Sequence, residues 1–293
     1  MKVLLAEHSG FCFGVRRALQ MAREAKAAGG EVRTLGDLIH NPRIVRELAS
    51  EGIVSVEDVT GASGTKVVLR SHGVSKEDLA ALRSGGCEII DATCPYVERA
   101  QQLVAAHAEI PMLILGDPDH PEVKGMLSYG NSHTRVLRPG EFPGDGPWKT
   151  LCVVSQTTQK LANLQALVQS VLPRCLELIV FNTICSATSL RQEAAVALAK
   201  ASDLMLVIGG RNSSNTKMLQ DLCSRETRSL HIEDAGELTL PDLADAANIG
   251  LAAGASTPEE AILEVYNQIF KLMGIPGAVS RFEEIPRYKE ESC

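Results

Sequence analysis

The sequence predicts an α/β fold built from three similar small units with mostly parallel sheets, and three observations predict it. Apolar runs rich in Val, Ile and Leu alternate with helical patterns along the whole chain, which favours α/β over α+β architecture. Three cysteines, Cys12, Cys94 and Cys185, each stand where such a run gives way to a helical pattern, at near-equal separations of 82 and 91 residues. The segments IIDATCP at 89–95 and VFNTICS at 180–186 also echo each other, with Asp91 or Asn182 three residues ahead of the cysteine.

Taken in order, the apolar runs at 3–6, 66–70, 87–91, 111–116, 150–154, 176–181, 203–208 and 248–253 read as buried parallel strands. Helix starts are signalled by Asn41 before Pro42, Ser75 in SKEDLAAL, Cys94 before Pro95 and Thr257 before Pro258. The cysteine spacing divides the chain into units at 13–94, 95–184 and 185–275, the last joined by the N-terminal strand 1–12. The stretch 138–149 is turn-rich and reads as a surface loop. In the tail 276–293 periodicity is lost, so it is expected to wrap the surface or fray.

Bulk properties exclude several classes. At 293 residues with an ordinary 45% apolar content, the chain can bury one large core or several small ones. The 4% aromatic content argues against base-stacking platforms, and a net charge of −7 lacks the field that non-specific phosphate-backbone binding exploits, so no nucleic-acid partner is expected. No apolar run approaches the roughly 20 residues that span a bilayer, and MKVLLAEHSG turns polar too soon for a secretory signal. A cytoplasmic protein without membrane contact is expected, in which the eight cysteines serve as free thiols, metal ligands or catalytic groups rather than a disulfide framework. Cys87, Cys152, Cys175, Cys223 and Cys293 lie outside the conspicuous motifs and read as small buried hydrophobes or a tail thiol.

The polar motifs mostly follow strands and open helices, where a parallel α/β unit binds its ligands. Helix N-termini there offer free N–H groups and a positive dipole end, which suit phosphate. GGRNSSNT is the best anion candidate, because Ser213, Ser214 and Asn215 bring donors together at a helix start. GASTPEE repeats the logic with Ser256 and Thr257, and either motif alone also reads as an N-cap. His40, His72 and His120 sit in loop motifs of this kind and point to a shared site for an anion or for proton transfer, whereas His8, His107, His133 and His231 read as structural. In DHPEVKG, Pro121 fixes the backbone between His120 and Glu122. A glutamate shielded from water can hold a proton near neutral pH, although a first-turn carboxylate favouring the helix dipole is the plain alternative. In SQTTQ, Thr157 and Thr158 can hydrogen-bond that glutamate or a substrate, or cap the helix TQKLANLQALVQ. No G-x-G-x-x-G after a strand and no GxxxxGK[ST] is present, so a dinucleotide or P-loop nucleotide is not supported.

Three thiolates suit a metal centre with one vacant position. A closed zinc site wants four ligands, usually in tight Cys-x-x-Cys pairs, and the chain has no such pair. A cubane iron-sulfur cluster takes soft thiolates, one per iron, and three would leave one iron open.

Taken together and in this order, GFCFGV, LIHNP, RSHGVS, DATCP, HPEVKG, QTT, TICSAT, GGRNSSNT and GAST closely resemble the 4-hydroxy-3-methylbut-2-enyl diphosphate reductase family, from about residue 3 to about residue 275. The resemblance implies a trefoil of three α/β units around a central 4Fe-4S cluster with an open iron site, ligated by Cys12, Cys94 and Cys185. It implies diphosphate contacts at His40, His72, His120, Ser213, Ser214, Asn215 and Ser256, and proton delivery by Glu122 with His120 and Thr157. The activity implied is the last step of the methylerythritol phosphate route, a two-electron reductive dehydroxylation of the allylic diphosphate to isopentenyl and dimethylallyl diphosphate. With no flavin or nicotinamide motif, the electron donor expected is a ferredoxin or flavodoxin. The rivals are a three-cysteine cluster dehydratase such as quinolinate synthase, an iron-sulfur or zinc redox sensor and, more weakly because no H-E-x-x-H pair is present, a zinc hydrolase with histidine ligands.

Overall fold

The computed structural model describes residues 1–289. In chain order its regular elements are β1 (Lys2–Leu5), α1 (Phe13–Ala27), β2 (Val32–Leu35), α2 (Pro42–Ser50), β3 (Ile53–Val56), β4 (Lys66–Leu69), α3 (Lys76–Ser84) and β5 (Glu88–Asp91). They continue as α4 (Pro95–Ala106), β6 (Met112–Leu115), α5 (Pro121–Ser128), β7 (Thr134–Leu137), β8 (Trp148–Ser155), α6 (Leu161–Val171) and β9 (Cys175–Val180). The last are α7 (Ser186–Lys200), β10 (Leu204–Ile208), α8 (Ser214–Cys223), β11 (Arg228–Ile232), β12 (Asn248–Ala253) and α9 (Glu259–Met273). Short 3-10 turns punctuate the loops.

The strands form three sheets of four, ordered β1-β12-β10-β11, β3-β2-β4-β5 and β7-β6-β8-β9, and every pairing is parallel. This is the α/β architecture with parallel sheets that the strand–helix alternation predicts. One topology serves all three: the sheets share one strand order if β1 is counted as the last strand after β10, β11 and β12. The strand that leads into a cysteine, β1, β5 or β9, is therefore an edge strand in its sheet.

The chain divides into two compact units. One comprises residues 1–12, 40–42 and those from 186 onward, and it holds the first sheet; the other comprises 13–39 and 43–185 and holds the remaining two. Side-chain alternation explains how each unit builds its core. In β10, Leu204, Leu206 and Ile208 join one apolar cluster with Ile262, Val265 and Ile269 of α9, while Met205 and Val207 face Leu198 and Leu219 across the other side of the sheet. In the second unit β6 does the same, sending Met112 and Ile114 to one cluster and Leu113 and Leu115 to another. Helix α9 buries a stripe from Ile262 to Phe270 and stops at Gly274, whose left-handed φ of 64° a side chain would disfavour.

Four strands fall outside the eight apolar runs: β2 (VRTL), β3 (IVSV), β7 (TRVL) and β11 (RSLHI). Helix starts at Pro42, Lys76 and Pro95 match their signals, and Cys94 is the N-cap of α4. Helix α9 departs from its signal, because Pro258 itself is the extended N-cap and the helix begins one residue later, at Glu259. The stretch 138–147 connects β7 to β8 as a loop. The tail docks as far as it is described: Leu5 N–H donates to Pro286 O and Tyr288 N–H to Leu5 O, so the free edge of β1 is covered, and Ile285 is buried. Cys293 lies outside the described residues.

Candidate active site

Each sheet carries the same set of loops at the carboxyl ends of its strands. The cysteine loops are pinned alike: Cys12 N–H donates to Ala255 O at 3.1 Å, Cys94 N–H to Ser71 O at 3.0 Å and Cys185 N–H to Thr157 O at 2.9 Å. Each acceptor is the second residue past the end of the strand beside the cysteine strand, namely β12 (Ala253), β4 (Leu69) and β8 (Ser155). The loops that follow β2, β6 and β10 are equally regular. His40, His120 and Ser213 are each the fifth residue past the last strand residue, Leu35, Leu115 and Ile208.

None of the three cysteines is in a disulfide and each is partly exposed, with Cys12 in the first unit and Cys94 and Cys185 in the second. Cys152 and Cys223 are different, because burial pushes their thiols up to about 11 and about 12 and leaves them poor thiolates. Cys175 is shifted upward by burial as well, and Cys87 donates to Ala62 O. These four have the character of structural residues.

In the first unit the anion motifs assemble. Ser213 caps α8 by accepting from Thr216 N–H, Ser214 opens the helix half-buried, and the Asn215 side chain is 4% exposed. Neither the amide nitrogen nor the oxygen of Asn215 meets a hydrogen-bond partner among the described residues. Leaving either group unmet in a buried position costs roughly 1–3 kcal/mol, and a ligand bearing acceptors would recover the share of the amide nitrogen. Ser256 Oγ donates to His40 O at 3.0 Å, and Asn41 Nδ2 donates to Ser256 O at 2.8 Å, so His40 is fastened to the GAST loop. Thr257 Oγ1 turns inward to Ile208 O. Neither hydroxyl of that loop caps α9. Gly209, at a left-handed φ of 147°, lets the backbone pass within 2.6 Å of Thr257 Oγ1, measured from where a Cβ would stand. Asn41 is a positioning residue that sequence reasoning missed; its place beside His40 and Pro42 read only as a helix start.

The second unit holds the candidate proton-transfer residues. His120 is the N-cap of α5, and its Nδ1 accepts from Glu122 N–H at 3.2 Å. In the neutral ring this fixes the proton on Nε2 and leaves that nitrogen as a donor. His72 packs edge-on against His120, with ring centroids 5.5 Å apart. Glu122 is 2% exposed, and Thr157 holds both its oxygens, with N–H to Oε1 at 2.6 Å and Oγ1 to Oε2 at 2.9 Å. Burial raises the Glu122 pKa to about 7 against the lowering effect of those two bonds. The carboxyl is therefore poised to hold or release a proton near neutrality. Thr157 does not cap α6, which starts at Leu161 after Lys160, and Thr158 accepts from Gln156 Nε2.

The arrangement defines a parallel α/β protein whose cysteine loops and candidate anion and proton-transfer loops stand at matching strand ends. The LytB protein family model matches residues 3–270. A 4-hydroxy-3-methylbut-2-enyl diphosphate reductase of Geotalea uraniireducens is 43% identical over 93% of this chain and 98% of its own length, and that of Thermoanaerobacter sp. is 40% identical over 94% and 99%. Among solved structures, (E)-4-hydroxy-3-methyl-but-2-enyl diphosphate reductase, the terminal enzyme of the non-mevalonate pathway, matches with a TM-score of 0.68 at 38% identity over 92% of this chain and all of that one. The Plasmodium falciparum reductase matches with a TM-score of 0.85 at 25% identity, over 98% of this chain and 95% of that one. The chain belongs to the LytB family and is an oxidoreductase. Among the described residues no helix is long and apolar enough to cross a membrane.

Proposed function

We propose that this protein reduces (E)-4-hydroxy-3-methylbut-2-enyl diphosphate to isopentenyl and dimethylallyl diphosphate, the closing step of the methylerythritol phosphate route, in the cytoplasm. The observation that carries the reading is one residue, Thr157, which holds the buried Glu122 carboxyl with its N–H and hydroxyl and accepts the Cys185 N–H on its carbonyl. A proton donor poised near neutrality is thereby tied to a cysteine loop.

Cys12, Cys94 and Cys185 fit a 4Fe-4S cluster as three thiols outside any disulfide, each in the loop that follows an edge strand and with its amide pinned in the same manner. When bound, such a cluster supplies electrons one at a time and an open iron acting as a Lewis acid. In this reading each sheet with its helices is one repeat, with seams near 13–94, 95–184 and 185–275, arranged as a trefoil about the cluster.

The chain's own residues do the rest. Asn215, with its unmet amide, binds the diphosphate together with Ser213, Ser214, Ser256, His40, His72 and the Nε2–H of His120. The positive end of α8 adds to that attraction. Glu122 gives its proton to the departing hydroxyl, which leaves as water when the carbon–oxygen bond breaks. Two electrons and a second proton reach the allylic carbons, so the balance is two electrons and two protons per molecule. Thr157 keeps the carboxyl aimed while its charge changes. A ferredoxin- or flavodoxin-type protein donates the electrons.

The test is anaerobic incubation of reconstituted protein with the allylic diphosphate and a chemical reductant. Both isopentenyl and dimethylallyl diphosphate are expected at two electrons consumed per molecule. Intact substrate in the presence of a full cluster refutes the reading, and turnover without reductant identifies a dehydratase instead.

A further inference from the structure

Two arginines outside the site repeat a single arrangement. Arg17 lies on α1, five residues after Cys12, and its guanidinium donates to Thr93 O at 3.1 Å and Asp91 O at 3.2 Å, one and three residues before Cys94. Arg191 lies on α7, six residues after Cys185, and its Nη1 donates to Gly10 O at 2.9 Å, two residues before Cys12, and to Ala253 O at 3.0 Å, the end of β12. The helix that follows one cysteine thus grips the backbone that delivers another. Arg191 is 4% exposed, a setting in which a charged group is retained only at a cost.

The turn that Arg191 grips needs holding. His8 and Gly10 both adopt left-handed backbone, with φ of 59° and 95°, and a non-glycine residue there is strained. Three links tie this turn to the end of β12: Arg191 to Gly10 and Ala253, Ala253 N–H to Ser9 Oγ at 3.3 Å, and Cys12 N–H to Ala255 O. Of the three, the arginine link alone carries charge. A guanidinium remains protonated at any working pH, so it places fixed positive charge beside peptide groups that lead into a thiolate.

We propose that Arg17 and Arg191 are positioning residues for the cluster, clamping the Cys94 and Cys12 turns so that the thiolates are presented pre-formed and their negative charge is offset. The proposal rests on the cluster reading given above. The corresponding residue after Cys94, Arg99, is exposed and makes no bond of this kind among the described residues, so it serves as an internal control.

The experiment follows iron transfer from anaerobically reconstituted protein to a chelator. Arg191→Met and Arg17→Met are expected to lose iron about 10- to 100-fold faster than the parent, the usual effect of removing a partner that orients metal ligands. Arg191→Lys, which keeps the charge without the fork, is expected to fall between. Arg99→Met should match the parent. Leu198→Ala, buried in the core on α7 like Arg191, should also match it despite a lower melting temperature. Arg17 is only half-buried, so its variant answers the question even if Arg191→Met fails to fold. Parent-like iron loss in Arg17→Met, or loss in Leu198→Ala as fast as in Arg191→Met, overturns the clamp alone. A parent protein that takes up no iron overturns the cluster reading and the clamp with it.

Discussion

Replacing Glu122 with glutamine removes a titration from the protein interior. The introduced amide can keep both contacts with Thr157, since its carbonyl still accepts the N–H and its NH2 can donate to the hydroxyl, so the change is electrostatic rather than steric. The carboxyl titrates from an ordinary 4.5 to about 7 on folding, because burial disfavours its charge. Between those values the folded protein holds a proton that the unfolded chain has lost. Its stabilising contribution is therefore complete below pH 4.5, declines as pH rises toward 7, and is gone above. The shift corresponds to about 3 kcal/mol. Thermal unfolding of both proteins from pH 5 to 8 should show the variant gaining on the parent as pH rises, by roughly 6 °C at the usual few degrees per kcal/mol. Turnover by the variant should fall at least roughly a hundredfold, without the parent's decline above about pH 7. A constant gap between the two melting temperatures, or a parent that gains on the variant with rising pH, refutes the assignment of Glu122 as a carboxyl poised by burial.

Three further outcomes follow from the site. Thr157→Val removes the hydroxyl bond that lowers the Glu122 pKa, so the falling limb of the pH–rate profile should move to higher pH; a move the other way contradicts the pairing. His120→Ala should cost about 1 kcal/mol in chemical denaturation through loss of the α5 cap, while His120→Asn should restore that stability, and both should lose activity because the Nε2 donor is gone. Asn215→Ala should weaken binding of inorganic diphosphate at least roughly tenfold in calorimetry and leave the melting temperature unchanged or higher, since it deletes unmet buried groups.

The residues of the candidate site stand out in the sequence because their types are conspicuous in turn-rich loops; their partnerships do not. Glu122 and Thr157 are brought together by the pairing of β6 with β8, and nothing in the spacing of the two motifs encodes that pairing. The regular placement of His40, His120 and Ser213 depends on recognising β2, which VRTL conceals behind a charged and a hydroxyl residue. β3, β7 and β11 escape notice for a related reason, since each is an outer strand and needs apolar side chains on fewer positions. The GAST motif invites an N-cap reading because Ser and Thr precede Pro258 and an acidic turn. The backbone instead assigns that role to Pro258 and leaves the Ser256 hydroxyl to bond His40 O and the Thr257 hydroxyl to bond Ile208 O at the end of β10. An arginine on a helix ordinarily reads as a solvated face, so Arg17 and Arg191 become visible only through their acceptors.

Iron and acid-labile sulfide in anaerobically purified parent protein and in Cys12→Ser, Cys94→Ser and Cys185→Ser test most directly whether sulfurs from separate strands hold one shared centre. About four irons and as many sulfides per parent chain are predicted, with near-complete loss in each single variant. Iron that survives in any one of the three variants at the parent's level, or a parent that is active without iron, would contradict the account.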